Sequence, residues 1–274
     1  MNTDAPTALP PAADLDDDDR LIGRILSRRE VLALFRAGGA AAFLAACTPG
    51  SGTTAPTSGS SAVATALASA TAAAVASALP ACVVAPELTE GPYYVDVNLE
   101  RSDIRPNTSD GAVSPGATLR LDWIVSQVDG SACAPLEGVI VDVWHCDALG
   151  TYSGVQGSSG TDFLRGHQLT DANGKATFTT VYPGWYSGRA VHIHFKIRTD
   201  PDAAAGFEFT SQLFFDDDLS RQVFATGVYA SKGAQDVPNA ADGIYGQSGG
   251  ATLLDVTEDG DGYQATFPIA VQLS

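Results

Sequence analysis

Residues 183–195 read Pro-Gly-Trp-Tyr-Ser-Gly-Arg-Ala-Val-His-Ile-His-Phe, so one short run carries a tyrosine, an arginine and a His-x-His pair. From Ala190 to Arg198 the residues alternate. Val191, Ile193, Phe195 and Ile197 form an apolar face, and Ala190, His192, His194, Lys196 and Arg198 form the other. A spacing of two on a strand points both imidazoles the same way, as a pair of metal ligands requires. A half-buried strand also needs a wet face, and solvation explains a lone His-x-His about as readily as metal does. The neighbouring segments decide between the two.

Upstream, residues 139–146 form a strongly apolar strand that runs into a Gly-containing loop presenting Tyr152. Between that loop and the histidines, Asn173-Gly174 sits among alternating residues and marks a hairpin turn. Thr89-Glu-Gly-Pro-Tyr-Tyr-Val95 precedes these pieces. Phe163-Leu-Arg-Gly166 comes just before the hairpin, and Ser211-Gln-Leu-Phe-Phe-Asp216 follows the histidine strand. In this order, the segments resemble the intradiol ring-cleavage dioxygenases over most of residues 82–218.

The resemblance implies a site. Tyr152, Tyr186, His192 and His194 fall on the four protein ligands of a non-haem Fe(III). Arg189 and Gln212 fall on positions that orient and polarise the substrate, and Pro92, Tyr93 and Tyr94 on its pocket. Phenolate is a hard anionic donor, so two tyrosinates with two neutral imidazoles suit a trivalent ion better than the metals that thiolates select. The implied reaction is cleavage of a catechol-type aromatic by O2 between its hydroxylated carbons, giving a muconate-type diacid. Tyr186 is the ligand implied to be displaced by substrate, while Tyr152 stays bound. His145 and His167 match no ligand and are read as structural or surface residues.

The remaining elements form a frame for this site. Strand-like runs at 119–128, 139–146, 175–181, 190–198, 207–215 and 262–273 are separated by Gly, Asp, Asn and Pro clusters, with no long amphipathic helix. The expected fold is all-β, a β-sandwich of mixed and antiparallel sheets with long loops, over residues 81–274. In the catechol-cleaving branch of the family an N-terminal helical segment builds a dimer. Here a different leader takes its place, and the oligomeric state stays open.

That leader reads as an export signal. Ser27-Arg-Arg-Glu-Val-Leu32 is a twin-arginine pattern, followed by an apolar stretch and by Leu44-Ala-Ala-Cys47, which resembles a lipoprotein cleavage box. Residues 1–46 are expected to be removed, leaving lipid on Cys47 as the sole membrane attachment. Residues 47–80 are mostly Ala, Ser, Thr, Gly and Pro without charge, too poor in large side chains to bury a core, and are expected to act as a tether. The enzyme would then be exported and anchored at the cell surface or periplasmic face. Three cysteines remain, and in an oxidising compartment the expected pair is Cys82 with Cys133, both in loop-like surroundings, leaving Cys146 as a free thiol in a strand.

The chain's net charge is −17, and removing residues 1–46, with five arginines and seven carboxylates, leaves about −15. Nucleic acid is disfavoured as a partner. Two other classes share parts of the pattern. A transthyretin-like or carboxypeptidase-regulatory-like sandwich has the hairpins but needs neither paired tyrosines nor His-x-His. A surface copper or zinc binder would use His192 and His194 alone. An extradiol-type ferrous site would require a carboxylate beside the histidines, and no motif supplies one.

Overall fold

The computed structural model describes residues 84–129, 132–201 and 206–273. The export pattern, the tether, Cys47 and Cys82 lie outside the described residues. Two sheets form the sandwich expected from the sequence. In the first, β1 (Thr118–Asp129) pairs antiparallel with β2 (Ala132–Pro135) and β5 (Lys175–Val181). It pairs in parallel with β9 (Gly262–Val271), whose other edge carries β8 (Val256–Asp259). The second sheet is antiparallel throughout, in the order β4 (Arg165–Leu169), β3 (Ile140–Trp144), β6 (His192–Arg198), β7 (Glu208–Phe214). Two short helices follow, α1 (Asp217–Phe224) and α2 (Gly243–Ser248).

The core lies between the sheets, and strict alternation puts it there. Leu119, Leu121, Trp123 and Val125 of β1 meet Ile193, Phe195 and Ile197 of β6, all fully buried. Phe195 sits 6.0 Å from Trp123 and 5.7 Å from Phe267 between ring centroids. Turn chemistry holds the register: Gly174 takes a left-handed φ of 72°, and an added Cβ there would stand 2.1 Å from the Val125 carbonyl oxygen.

The other face of the second sheet is not wet, which corrects the reading of β6 as a half-exposed strand. Every residue of β6 is buried, including His192, His194, Lys196 and Arg198. A strap of irregular chain, residues 84–100, lies across that face. Leu88 N–H donates to Thr210 O, Gln212 Nε2 to Thr89 O and Ser211 Oγ to Pro86 O. The buried Lys196 ammonium pairs with Glu90 and Glu208 and lies 4.3 Å from the Tyr94 ring centroid. Arg198 pairs with Asp142 and Asp96. These bonds satisfy the buried cations and fasten the strap on both sides of Pro92-Tyr93.

Three elements carry no clear sequence signal: β2, β4 and β8 are four or five residues long and rich in Pro, Gly or charge. Cys133 lies on β2 rather than in a loop; it is disulfide-bonded, whereas Cys146 is free and buried.

Candidate metal centre

One row of the second sheet builds the site. Register places Arg165 opposite Trp144, Trp144 opposite His194, and His194 opposite Gln212. Because side chains directly across an antiparallel ladder share a face, these four project together beneath the strap. His192 follows one step along β6, opposite Phe214. The two tyrosines come from loops: Tyr152 after β3 and Tyr186 from the turn that leads into β6.

Those loops are packed backbone to backbone. Gly184 N–H donates to Asp147 O, and an added Cβ on Gly184 would lie 2.4 Å from Ala148 O. The Lys232 ammonium caps both the Leu149 and Trp185 carbonyls and lies 4.5 Å from the Trp185 ring centroid. The spacing of the tyrosines is therefore set by main chain rather than by the side chains themselves.

The four rings converge. Tyr152 and Tyr186 lie 5.7 Å apart between centroids, Tyr186 and His192 5.5 Å, His192 and His194 4.7 Å, and Tyr152 and His194 6.2 Å. His192 Nε2 is 3.1 Å from His194 Nε2 and 3.2 Å from Tyr186 Oη. His192 Nδ1 lies 2.6 Å from the Ala190 carbonyl oxygen, which can only accept, so Nδ1 carries the proton and Nε2 presents its lone pair inward. His194 is held flat against Trp144, 5.0 Å away and 10° from parallel.

Burial governs the charge states. It pushes His192 down to about 3 and, helped by His192 and Arg189, His194 well below its ordinary value. It raises both phenols well above theirs. Burial thus favours the neutral form of all four groups, with imidazole nitrogens and phenol oxygens gathered around one point. The Tyr152 hydroxyl is buried with no partner beyond the neighbouring Tyr186 phenol, which is costly unless something else satisfies it. This donor set fits a hard, multiply charged cation, which would stabilise the phenolates that burial alone disfavours.

Arg189 and Gln212 meet beside the cluster: Arg189 Nη2 donates to Gln212 Oε1 at 2.6 Å, and Arg189 Nε to Asp242 Oδ2 at 2.8 Å. The expected pocket residues separate. Tyr93 stacks on Tyr152 at 4.6 Å and meets Tyr186 edge-on at 5.7 Å, so it borders the cluster. Tyr94 packs instead on Trp144 and under Lys196, one layer away, and Pro92 is exposed. His145 is fully buried, with Nδ1 on Cys146 O at 2.8 Å and Nε2 on Thr180 Oγ1 at 2.6 Å, as a structural histidine would be.

Sequence reasoning passed over three residues here. Trp144 backs His194. Gly91 has φ of 72°, and its added Cβ would lie 3.3 Å from His194 Cε1. Arg165 is buried with no carboxylate; its Nε and Nη2 grip the Ser153 carbonyl, and its guanidinium lies 6.0 Å from the Tyr152 ring centroid. The motif Phe163-Leu-Arg-Gly166 was the available signal. Leu164 within it takes a left-handed φ of 57°, rare for a branched side chain, directly before the arginine.

Among the described residues no group of three or more His, Cys, Asp or Glu side chains is arranged to hold a metal ion. A family model described as dioxygenase matches residues 89–236, which include all four candidate ligands. A chlorocatechol 1,2-dioxygenase of Pseudomonas sp. (strain P51) is 33% identical over 101 residues, covering 30% of this chain and 39% of that protein. Catechol 1,2-dioxygenase 2 of Acinetobacter lwoffii is 34% identical over 152 residues, covering 48% of this chain and 52% of that protein. The chain thus spans about half, or less, of the length of these curated relatives. An intradiol ring-cleavage dioxygenase structure from Tetranychus urticae superposes with a TM-score of 0.58 at 26% identity, covering 70% of this chain and 95% of that one.

Proposed function

The chain belongs to the intradiol ring-cleavage dioxygenase family, and from that membership we propose that it is an Fe(III)-dependent enzyme that cleaves catechol-type aromatics with O2 to muconate-type diacids. The observation that carries the reading is the convergence of Tyr152, Tyr186, His192 and His194 on one buried point, with the Tyr152 hydroxyl facing no partner but the Tyr186 phenol. These four side chains would hold the ion. When bound, the ferric ion supplies Lewis acidity that favours the dianionic form of a catechol and opens its ring to dioxygen.

The protein's own groups do the rest. Tyr186 is partly buried where Tyr152 is fully buried, so Tyr186, held as a phenolate, would be the one able to swing out, taking a substrate proton on its Oη and leaving as the neutral phenol. Arg189, braced by Gln212, presents a cation where negative charge develops on the ring. Tyr93 and the strap exclude bulk water, which strengthens both effects. Location is a further part of the proposal: the twin-arginine pattern and Cys47 support an exported enzyme tethered by lipid, and Cys82 is proposed as the disulfide partner of Cys133.

The test is incubation of the iron-loaded protein with catechol under labelled dioxygen. A ring-opened diacid carrying both labelled atoms supports the proposal. Recovery of unchanged catechol by a folded, iron-loaded protein would refute it, and would favour a sandwich that binds without catalysis.

A further inference from the structure

Arg189 is not free to choose its position. Its Nε bonds Asp242 Oδ2 at 2.8 Å and its Nη2 bonds Gln212 Oε1 at 2.6 Å. Asp242 is 5% exposed, and both its oxygens are committed. Oδ2 also accepts the Ala190 N–H at 2.8 Å, while Oδ1 accepts the N–H groups of Ile244 and Tyr245 at the start of α2. Ala190 in turn offers its carbonyl to His192 Nδ1. A single carboxylate thus fixes the arginine, the backbone that orients a candidate ligand histidine, and the first turn of a helix.

Asp242 lies just past residues 89–236, the region matched by the family model. The loop that delivers it is anchored independently: Asn239 Nδ2 donates to Phe215 O at 2.7 Å, and Asn239 N–H is shared by the Asp217 carboxylate oxygens at 3.2 Å. A guanidinium has many rotamers and points wherever its partners hold it, and here one of the two partners comes from outside the matched segment.

We propose that Asp242 is a positioning residue that holds the Arg189 guanidinium, in register with His192, at the place where the substrate ring must lie. The proposal rests on the dioxygenase reading above. Asp242 touches no substrate; it acts through Arg189.

The test uses the full chain and two variants, Asp242→Ser and Arg189→Met, with their double. Serine is a good helix cap but too short to reach Arg189, so α2 keeps its start while the bond to the arginine is lost. Before any iron is added, the wild type is expected to show a slowly exchanging arginine Nε–H resonance that disappears in Arg189→Met and in Asp242→Ser. After loading, Asp242→Ser is expected to lower kcat by roughly 10- to 100-fold with a smaller change in KM. At equal iron content, which removes any effect through Ala190 and His192, the double variant is expected to have a kcat no lower than Arg189→Met alone. An Nε–H signal that survives in Asp242→Ser, or additive kinetic losses, would overturn the proposal while leaving the dioxygenase intact. A wild-type protein that opens no ring would overturn the dioxygenase reading, whereas an iron-free wild type with no protected Arg189 Nε–H resonance would overturn the placement of Arg189 by Asp242.

Discussion

The backbone of Gly91 rests against the imidazole of His194: a Cβ built on Gly91 would stand 3.3 Å from Cε1 and 3.9 Å from Nε2. The strap thus passes so close to the ring that a single added methyl would crowd it, and it does so at a residue whose φ of 72° already favours glycine.

Gly91→Ala combines left-handed strain with crowding of His194. It is expected to cost about 1–2 kcal/mol from backbone conformation alone, and to lower the iron bound per protein. Thermal melting and metal analysis read both effects. An unchanged melting temperature with full iron content would show that the strap does not bear on the site.

Arg165→Lys keeps a charge and loses the planar fork that grips Ser153, the residue next to Tyr152. Lysine cannot reproduce that geometry, so a loss of about 2–4 kcal/mol is expected, together with reduced iron retention. Arg105→Lys serves as a control, because Arg105 pairs with the partly exposed Asp103 and is expected to change stability by under about 1 kcal/mol. Equal effects of the two substitutions, measured by denaturant unfolding, would remove Arg165 from the account.

His145 gives a pH signature separate from the ligands. Burial pushes it down from 6.5 to about 4, so between those values the unfolded chain binds a proton that the native protein refuses. Stability therefore falls as pH drops through that window. Replacing His145 with glutamine is expected to flatten the slope by one proton, about 1.4 kcal/mol per pH unit. Unfolding free energies at a series of pH values check this; a slope identical to wild type would mean that His145 takes up its proton in the folded protein.

Much of this site is legible in the sequence, but for different reasons at different residues. The alternation from Ala190 to Arg198 states outright that His192 and His194 share a face, because a two-residue period has only one meaning in a strand. Tyr152 and Tyr186 lie in loops, where no period operates, and only resemblance links them to the histidines. The polar face of β6 looked wet since a sequence records polarity and not what covers it; the covering strap has no regular structure to announce itself. Arg165 enters through a five-residue strand paired to β3, a register that short polar segments do not reveal. Asp242 is further still from local pattern, reaching Arg189 across 53 residues of chain.

The most direct test of the central claim is the visible absorption spectrum and iron content of the purified protein, compared with Tyr152→Phe. The account predicts stoichiometric iron and a broad tyrosinate-to-iron charge-transfer band that shifts when catechol is added without oxygen and that is weakened and shifted in the variant, where Tyr186 is the one phenolate left. A folded wild-type protein that stays colourless and iron-free after reconstitution with ferric ion would contradict it.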